Sequence, residues 1–458
     1  MSVQTSPTTK PYDIVIIGGG ASGLTAAIMA ARAYASSHAH QAAHIAILES
    51  DSICGRKILA TGNGRCNYSN KHLTYDHYYH DLAVRKVFET VCQSRDFKNL
   101  IGSNLDTQDA SIENIIETFF SNLGLVSVNH GNFLYPYSLH AESVRETLLA
   151  ACQSLDITLL CNHTVQSLSQ TKSMQWKIGT WAPTQSLVQR KNETDRKFKR
   201  RIQAAQFIQK DFFASCVIIS AGNSPISSQD SFLRTLPIKL EKPQPILCPI
   251  ACLDKLHCLK DLDGQRILCK ASIIRNGHSI YSERGELLFR SYGISGILAF
   301  NLSRRIQSGD TISLNLVPDW STEKLDDYIS WRLQNFGEKN FFRGFTNTKV
   351  GTYLSAYSNL YKTQYNCTTK EALYTTLTQL ELLVNSTCEH QHAQVIRGGI
   401  SLDNVNLSQL SFKQYPHLFA CGEALDIDAD CGGFNLSWAW ISGALAGYSS
   451  AQNLFTVR

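Results

Sequence analysis

The sequence predicts an α/β protein: one dinucleotide-binding domain of alternating strands and helices, whose chain is interrupted by a long insertion. Two observations carry this. "YDIVIIGGGASGLTAAIMAARAYA" passes from a β-branched run through a glycine turn into an alanine-rich helix, and "HIAILES" follows as a second strand, which is a βαβ opening. At the other end of the chain, "HLFACGEALDIDADCGGFNLSWAWISGALAG" again runs from strand to glycine loop to helix. Glycine motifs thus mark both ends, and what lies between them reads as an insert.

The first strand and helix frame Gly18-x-Gly20-x-x-Gly23. Gly18 permits the tight turn, Gly20 lets a pyrophosphate approach, and Gly23 lets helix and strand pack closely. Ala21 and Ser22 open the helix, whose first N–H groups and partial positive charge suit phosphates. Glu49 ends the second strand, where an acid accepts hydrogen bonds from ribose hydroxyls and repels a 2′-phosphate. Predicted helices follow near residues 80–122, with "IENIIETFFSNLG" the clearest and Gly124 its stop, and at "HAESVRETLLAACQSL". "GNFLYPYS" and the stretches from about 157 to 220 read as strands. The charged run Arg190 to Arg201 reads as a solvated hairpin tip, with a phosphate-contacting patch as the alternative. "SIIRNGHSIYS" is a hairpin about Asn276-Gly277. Residues 321–390 look helical.

Gly422-Glu423 ends the last strand, and such a pair can hold ribityl hydroxyls. Gly432 and Gly433 start the last helix, which stabilises negative charge at its N-terminus. A second element completing the site from so far along the chain implies a long ligand, hence FAD rather than NAD. No second GxGxxG follows the first, so NAD(P)H, if it is the electron donor, must visit transiently.

Of 458 residues, 43% are hydrophobic and 18% charged, which suits a globular protein with a substantial core. A net charge of +5 permits an RNA partner without requiring one. The 14 cysteines are scattered and read as reduced thiols. "CPIACLDKLHC" brings Cys248, Cys252, Cys258 and His257 together without a CxxC pair, so packed thiols and no metal are expected. Residues Ile14 to Ala31 lack charge, but their glycines and the single preceding Lys10 argue against a signal peptide or membrane span, and a cytoplasmic protein is expected.

"GRKILATGNGRCNYSN", together with "GEALDIDADCGGFNLSWAWISGALAG", "LYPYSLHAESV", "GELLFRSYGISG" and "VIRGGISLDNV", resembles the HI0933/YhiN-like flavoproteins, also called the BaiN or aminoacetone-oxidase-like family. The likeness spans nearly the whole chain. It implies a glutathione-reductase-type FAD-binding Rossmann-like domain interrupted by an insert of β-barrel and helical parts. The expected bounds are 1–240 with 390–458 for the FAD-binding domain, 241–320 for the barrel and 321–389 for the helical part. By the resemblance Gly18, Gly20, Gly23, Glu49, Arg56 and Lys57 fall at the adenosine and pyrophosphate end. Gly62, Asn63, Gly64, Arg65, Cys66 and Asn67 fall near the isoalloxazine, and Glu423, Gly433, Phe434 and Asn435 close the site.

The chain departs from the family at Asn223, at Arg290-Ser291 where a Thr-His is usual, at Ile297 and in "LSFKQYPHLFA". With that histidine absent, Cys66 and Tyr292 are the candidate proton donors, with Arg290 beside Tyr292. Each also suits a packing or binding role, and His140 and His278 read as surface residues. The resemblance implies an NAD(P)H-driven reductase of a conjugated C=C bond. Its substrate would be a uridine of large-subunit (23S) ribosomal RNA, made dihydrouridine, or an enone such as an oxo-bile acid. An aminoacetone-type amine oxidase and a non-enzymatic flavoprotein are the alternatives.

Overall fold

The computed structural model describes residues 11–37, 42–102, 111–185, 187, 193–222, 231–387 and 393–454. Asn223 lies outside them. The chain divides into two compact units, Met1–Gln244 with Arg397–Arg458, and Pro245–Ile396.

The first unit is built on strand β1 (Tyr12–Ile17), helix α1 (Ala21–Ser37) and strand β2 (Ile45–Leu48). β1 pairs in parallel with β2 on one side and with Phe207–Ile219 on the other. Thr158–Leu160 extends the parallel sheet beyond β2, and Leu418–Ala420 extends it beyond Phe207–Ile219. Ile14, Val15 and Ile16 have no exposed surface, as a run apolar on both faces requires. The strand Phe207–Ile219 serves two partners. Its first half pairs antiparallel with Trp176–Pro183, and its second half pairs with β1.

α1 crosses the C-terminal helix Phe434–Asn453 at backbone contact. A Cβ on Gly443 would lie 2.3 Å from Ser22 O, and one on Gly447 would lie 2.1 Å from Ala26 O. Matched four-residue spacings on both helices, 22/26 and 443/447, seat the first turns of α1 against the middle of the C-terminal helix.

The charged run expected as a hairpin tip is a helix where it is described, Asp195–Gln203. Thr194 caps it by accepting the Lys197 N–H, Phe198 is buried beneath it, and Arg201 pairs with Glu193 at 2.8 Å. Its cap and single apolar anchor were hidden by the density of charge.

The second unit is a closed barrel in the order Ile250–Asp254, Gly293–Ser295, His278–Arg290, Arg266–Arg275, Thr311–Asn315, Leu380–Thr387. The Asn276-Gly277 turn has φ of 50° and 78°, the left-handed pair that a two-residue hairpin needs. Helices Thr322–Phe336, Thr348–Tyr365 and Thr369–Thr378 stand between the last two barrel strands. The expectation of helix as far as 390 therefore fails for Leu380–Thr387. There Leu380, Leu382 and Val384 alternate inward, a period of two in a stretch too short to stand out beside a helix. Among the described residues no helix is long and apolar enough to cross a membrane, and no group of three or more His, Cys, Asp or Glu is placed to hold a metal.

Candidate functional site

The parallel strands of the first unit release their chains at one edge of the sheet, where an open α/β sheet binds ligands. Gly18 follows β1 at φ 104°, its N–H donating to Leu48 O at 2.8 Å. A Cβ there would meet Ser220 O and Ala221 Cα at 2.7 Å, and one on Gly23 would sit 2.0 Å from Gly18 O. Gly20 differs. A Cβ on it would meet nothing within 4 Å, so its side-chain direction faces open space at the start of α1. Ala21 is half-buried, and Ser22 is buried against Gly422. Glu49 is held by the glycine loop itself. One carboxylate oxygen accepts the Gly19 N–H and the other the Asp51 N–H, each at 2.7 Å.

The loop that follows is tied to the same turn, with the Gly55 N–H donating to Gly19 O at 2.7 Å. Arg56 opens the short helix α2 (Arg56–Ala60) and turns back to Asp51 at 2.8 Å and Ser52 at 2.7 Å. Lys57 points the other way, into the space above Gly222. A Cβ built on Gly222 would lie 3.4 Å from Lys57 Nζ and 3.7 Å from Glu423 Oε2, so ammonium and carboxylate converge there. Gly62, Asn63 and Gly64 are then consecutively left-handed, at φ of 54°, 54° and 83°. Such a run is open to glycine and tolerated by asparagine. It leaves Gly62, Asn63 and Arg65 exposed on the surface of the turn.

Cys66, also left-handed at φ 55°, is folded inward with no exposed surface. Burial pushes its thiol up to about 11, against a hydrogen bond from Thr61. Asn67 Oδ1 is buried and has no hydrogen-bond partner among the described residues.

From the last strand come Gly422 and Glu423. Glu423 is half-buried by surface area, yet protein crowds its carboxyl enough that desolvation pushes it up, against the pull of Lys57. Gly433, at φ 93°, sits so close to the chain at Ser69 that a Cβ would lie 2.7 Å from the Ser69 carbonyl oxygen. Phe434 begins the C-terminal helix and stacks on His77, with centroids 4.1 Å apart. Asn435 clamps the preceding loop, accepting from the Ala429 N–H and donating to Ala429 O, both at 2.9 Å.

That loop carries residues that sequence reasoning missed. Asp426, Asp428 and Asp430 are buried and paired with His80 at 3.1 Å, Arg397 at 2.6 Å and His77 at 3.1 Å. Segment 77–79 lies antiparallel to it, with Tyr79 N–H donating to Asp428 O and Asp430 N–H to His77 O. Alternating acids in "LDIDAD" were the available signal, but only the fold supplies their partners His80, Arg397 and His77.

Tyr292 belongs to the second unit, where its carbonyl accepts the Cys252 N–H at 3.0 Å. Neighbouring Arg290 pairs with Asp263 at 3.3 Å, and the Ser291 N–H donates to the same carboxylate at 2.9 Å. The structure therefore brings Gly18, Gly20, Glu49, Lys57, Gly422 and Glu423 to one sheet edge, while Arg56 is turned away to Asp51 and Ser52. Tyr292 is anchored within the barrel.

A model of the HI0933-like protein Rossmann domain matches residues 12–192 and 369–449, and one of the HI0933-like barrel and H2TH domain matches 244–395. A 3-dehydro-bile acid delta(4,6)-reductase of Clostridium scindens is 27% identical over 96% of this chain and 99% of its own. A ribosomal RNA dihydrouridine synthase of Escherichia coli is 22% identical over 98% and 99%. A 3-ketosteroid-delta4-(5alpha)-dehydrogenase structure from Rhodococcus jostii aligns at a TM-score of 0.44 with 12% identity, covering 98% of this chain and 99% of that one. With both family models matched across most of its length, the chain belongs to the HI0933-like family of FAD-dependent oxidoreductases.

Proposed function

We propose that this protein is a reductase that uses FAD and NAD(P)H to saturate a carbon–carbon double bond conjugated to a carbonyl. The observation that carries this is the convergence of Gly18–Gly20, Glu49, Lys57 and Glu423 at one sheet edge, and in the loop that follows, Asn67 Oδ1 is buried without a donor among the described residues. These residues fit a dinucleotide. Gly20 opens onto unfilled space, and a buried acceptor lacking a donor is the kind of group that a bound molecule satisfies. When bound, FAD supplies hydride transfer between a nicotinamide and the substrate.

The chain's own residues do the rest. The first N–H groups of α1 and the Lys57 ammonium offset phosphate charge, and Glu49 accepts ribose hydroxyls. Glu423 holds hydroxyls of the ribityl chain. The N-terminus of helix Phe434–Asn453, worth roughly half a positive charge, favours negative charge at the ring end. Cys66, closed inside its loop, stays a packed thiol. We assign proton delivery to His77, partly exposed, oriented by Asp430 and stacked on Phe434.

The two relatives' names support the bond type, since a conjugated enone and the uracil C5=C6 bond both accept hydride at the carbon β to a carbonyl. The first substrate reading is a uridine of large-subunit ribosomal RNA, favoured by exposed Arg196, Lys197, Lys199 and Arg200 on helix Asp195–Gln203. The second is a small conjugated enone, favoured by the greater identity to the bile-acid enzyme. Rapid-mixing absorbance should show NADH or NADPH bleaching the flavin, and an enone or unmodified ribosomal RNA restoring its colour. His77→Gln should keep the first phase and slow the second at least about tenfold. Failure of both nicotinamides to bleach the flavin would exclude this reading. Nucleoside analysis of ribosomal RNA from a deletion strain separates the substrates, since unchanged dihydrouridine leaves the enone.

Glu423→Gln should raise the Tm of the FAD-free protein at about pH 8 while weakening FAD binding. Burial raises the folded pKa of Glu423 above its unfolded value, so the acid stabilises the fold when protonated. Wild-type stability then falls as pH rises from the ordinary carboxylate range, about 4.3, through the raised folded value, and the glutamine does not titrate. Calorimetry between about pH 4 and pH 8 should therefore show the gap opening as pH rises. A gap independent of pH would refute the assignment.

A further inference from the structure

Two thiols outside the proposed chemistry meet at the same sheet edge. Cys54 lies in the loop after β2, and Cys161 follows Thr158–Leu160, with sulfurs 3.8 Å apart across 107 residues of chain. Backbone bonds already hold their two segments together. Glu49 N–H donates to Leu160 O at 2.9 Å, Asn162 N–H to Asp51 O at 2.8 Å and His163 N–H to Glu49 O at 2.8 Å. Arg145 Nε donates to the Cys54 carbonyl at 2.7 Å, which sets a guanidinium beside the pair. Cys161 is partly exposed and Cys54 is buried.

We propose that Cys161 and Cys54 are a peroxide-responsive thiol pair that closes a reversible disulfide beneath the nucleotide-binding loop. The roles follow from the surroundings. Cys161 is the partly exposed member, which peroxide can reach, and the Arg145 guanidinium beside the pair favours a thiolate there, whereas Cys54 is buried against Gly19. Cys161 is therefore the nucleophile and Cys54 the resolving thiol.

The Cys161 thiolate attacks one oxygen of hydrogen peroxide. The O–O bond breaks, water leaves after protonation, and Cys161 becomes a sulfenic acid. Cys54 sulfur then attacks Cys161 sulfur, the S–O bond breaks, and a second water leaves. Two thiols lose two electrons and two hydrogens, and one peroxide becomes two waters. Hydrogen peroxide is the oxidant, the ordinary product when a reduced flavin meets dioxygen. The sulfurs must close from 3.8 Å to about 2.0 Å. A Cβ on Gly19 would lie 2.6 Å from Cys54 Sγ, so that movement takes place against the loop whose N–H holds Glu49.

The test is peptide mass mapping of the FAD-loaded protein after brief hydrogen peroxide treatment. A Cys54–Cys161 cross-linked peptide, reversed by dithiothreitol, is expected. Cys54→Ser should instead trap a sulfenic acid on Cys161 that reacts with dimedone, and Cys161→Ser should give neither product. Dimedone labelling of Cys54 in Cys161→Ser would overturn the roles. A cross-link from either thiol to Cys152, which also lies near Cys54, or both thiols still alkylated after treatment, would overturn the pair. None of these readouts depends on the substrate or electron donor of the enzyme, so they fail or succeed apart from the proposed reductase activity.

Discussion

Gly20→Leu should give a folded protein without flavin colour. The substitution is unusual for a glycine motif because it costs the fold nothing visible. A Cβ on Gly20 has no protein atom within 4 Å, and the residue needs no left-handed backbone. Leucine there fills the space at the start of α1 that the proposed site leaves for phosphates. An FAD affinity lowered at least about 100-fold, or about 2.7 kcal/mol, is expected, with the Tm of the FAD-free protein within about 2 °C of wild type. Gly23→Ala is the opposite case. Its Cβ would strike Gly18 O at 2.0 Å and Ser220 Oγ at 2.6 Å, so stability and FAD should be lost together. Isothermal titration with FAD, alongside thermal melts of both FAD-free variants, separates the two glycines. A Gly20→Leu protein that binds FAD as wild type does would remove the first glycine turn from the site.

These contrasts show what was legible in the chain. The βαβ opening could be read because β-branched strand, glycine turn and alanine helix each speak through local propensity, and the structure repeats them at β1, α1 and β2. The glycines at 62 and 64 were visible in the sequence, but the left-handed run they form with Asn63 came from the structure. Directions of side chains were not visible. Arg56 and Lys57 are adjacent and similar, yet one is spent on Asp51 and Ser52 while the other faces Glu423 and Gly222. Partnerships across long separations were also hidden, as with His77 and Asp430, or Cys54 and Cys161. Nothing local marks such residues, because the sheet and the crossing of α1 with the last helix bring them together.

Asp428→Ala should be the most destabilising single change in the acidic loop. Asp428 has no exposed side-chain surface, and Arg397, 17% exposed, meets it at 2.6 and 3.1 Å while lying 4.2 Å over the Tyr79 ring. Removing the carboxylate leaves the guanidinium in that low-dielectric place without its counter-charge, a loss of about 3–5 kcal/mol in denaturant unfolding. Removing the exposed partner in Arg266–Glu286, by Glu286→Ala, should cost less than about 1 kcal/mol, because water screens both charges. The double variant Arg397→Met with Asp428→Leu should recover part of the loss, since no lone charge then stays buried. The consequence reaches the site through the chain. Asp428 lies four residues before Gly432, and its carbonyl holds the Tyr79 N–H beside His77. FAD affinity should therefore fall in step with stability in Asp428→Ala, whereas Gly20→Leu loses affinity at unchanged stability. If Asp428→Ala weakened the fold and left FAD affinity untouched, the acidic loop would be a strut for the sheet alone, and the start of the last helix would owe its position to Ser69, Asn70 and Asn435.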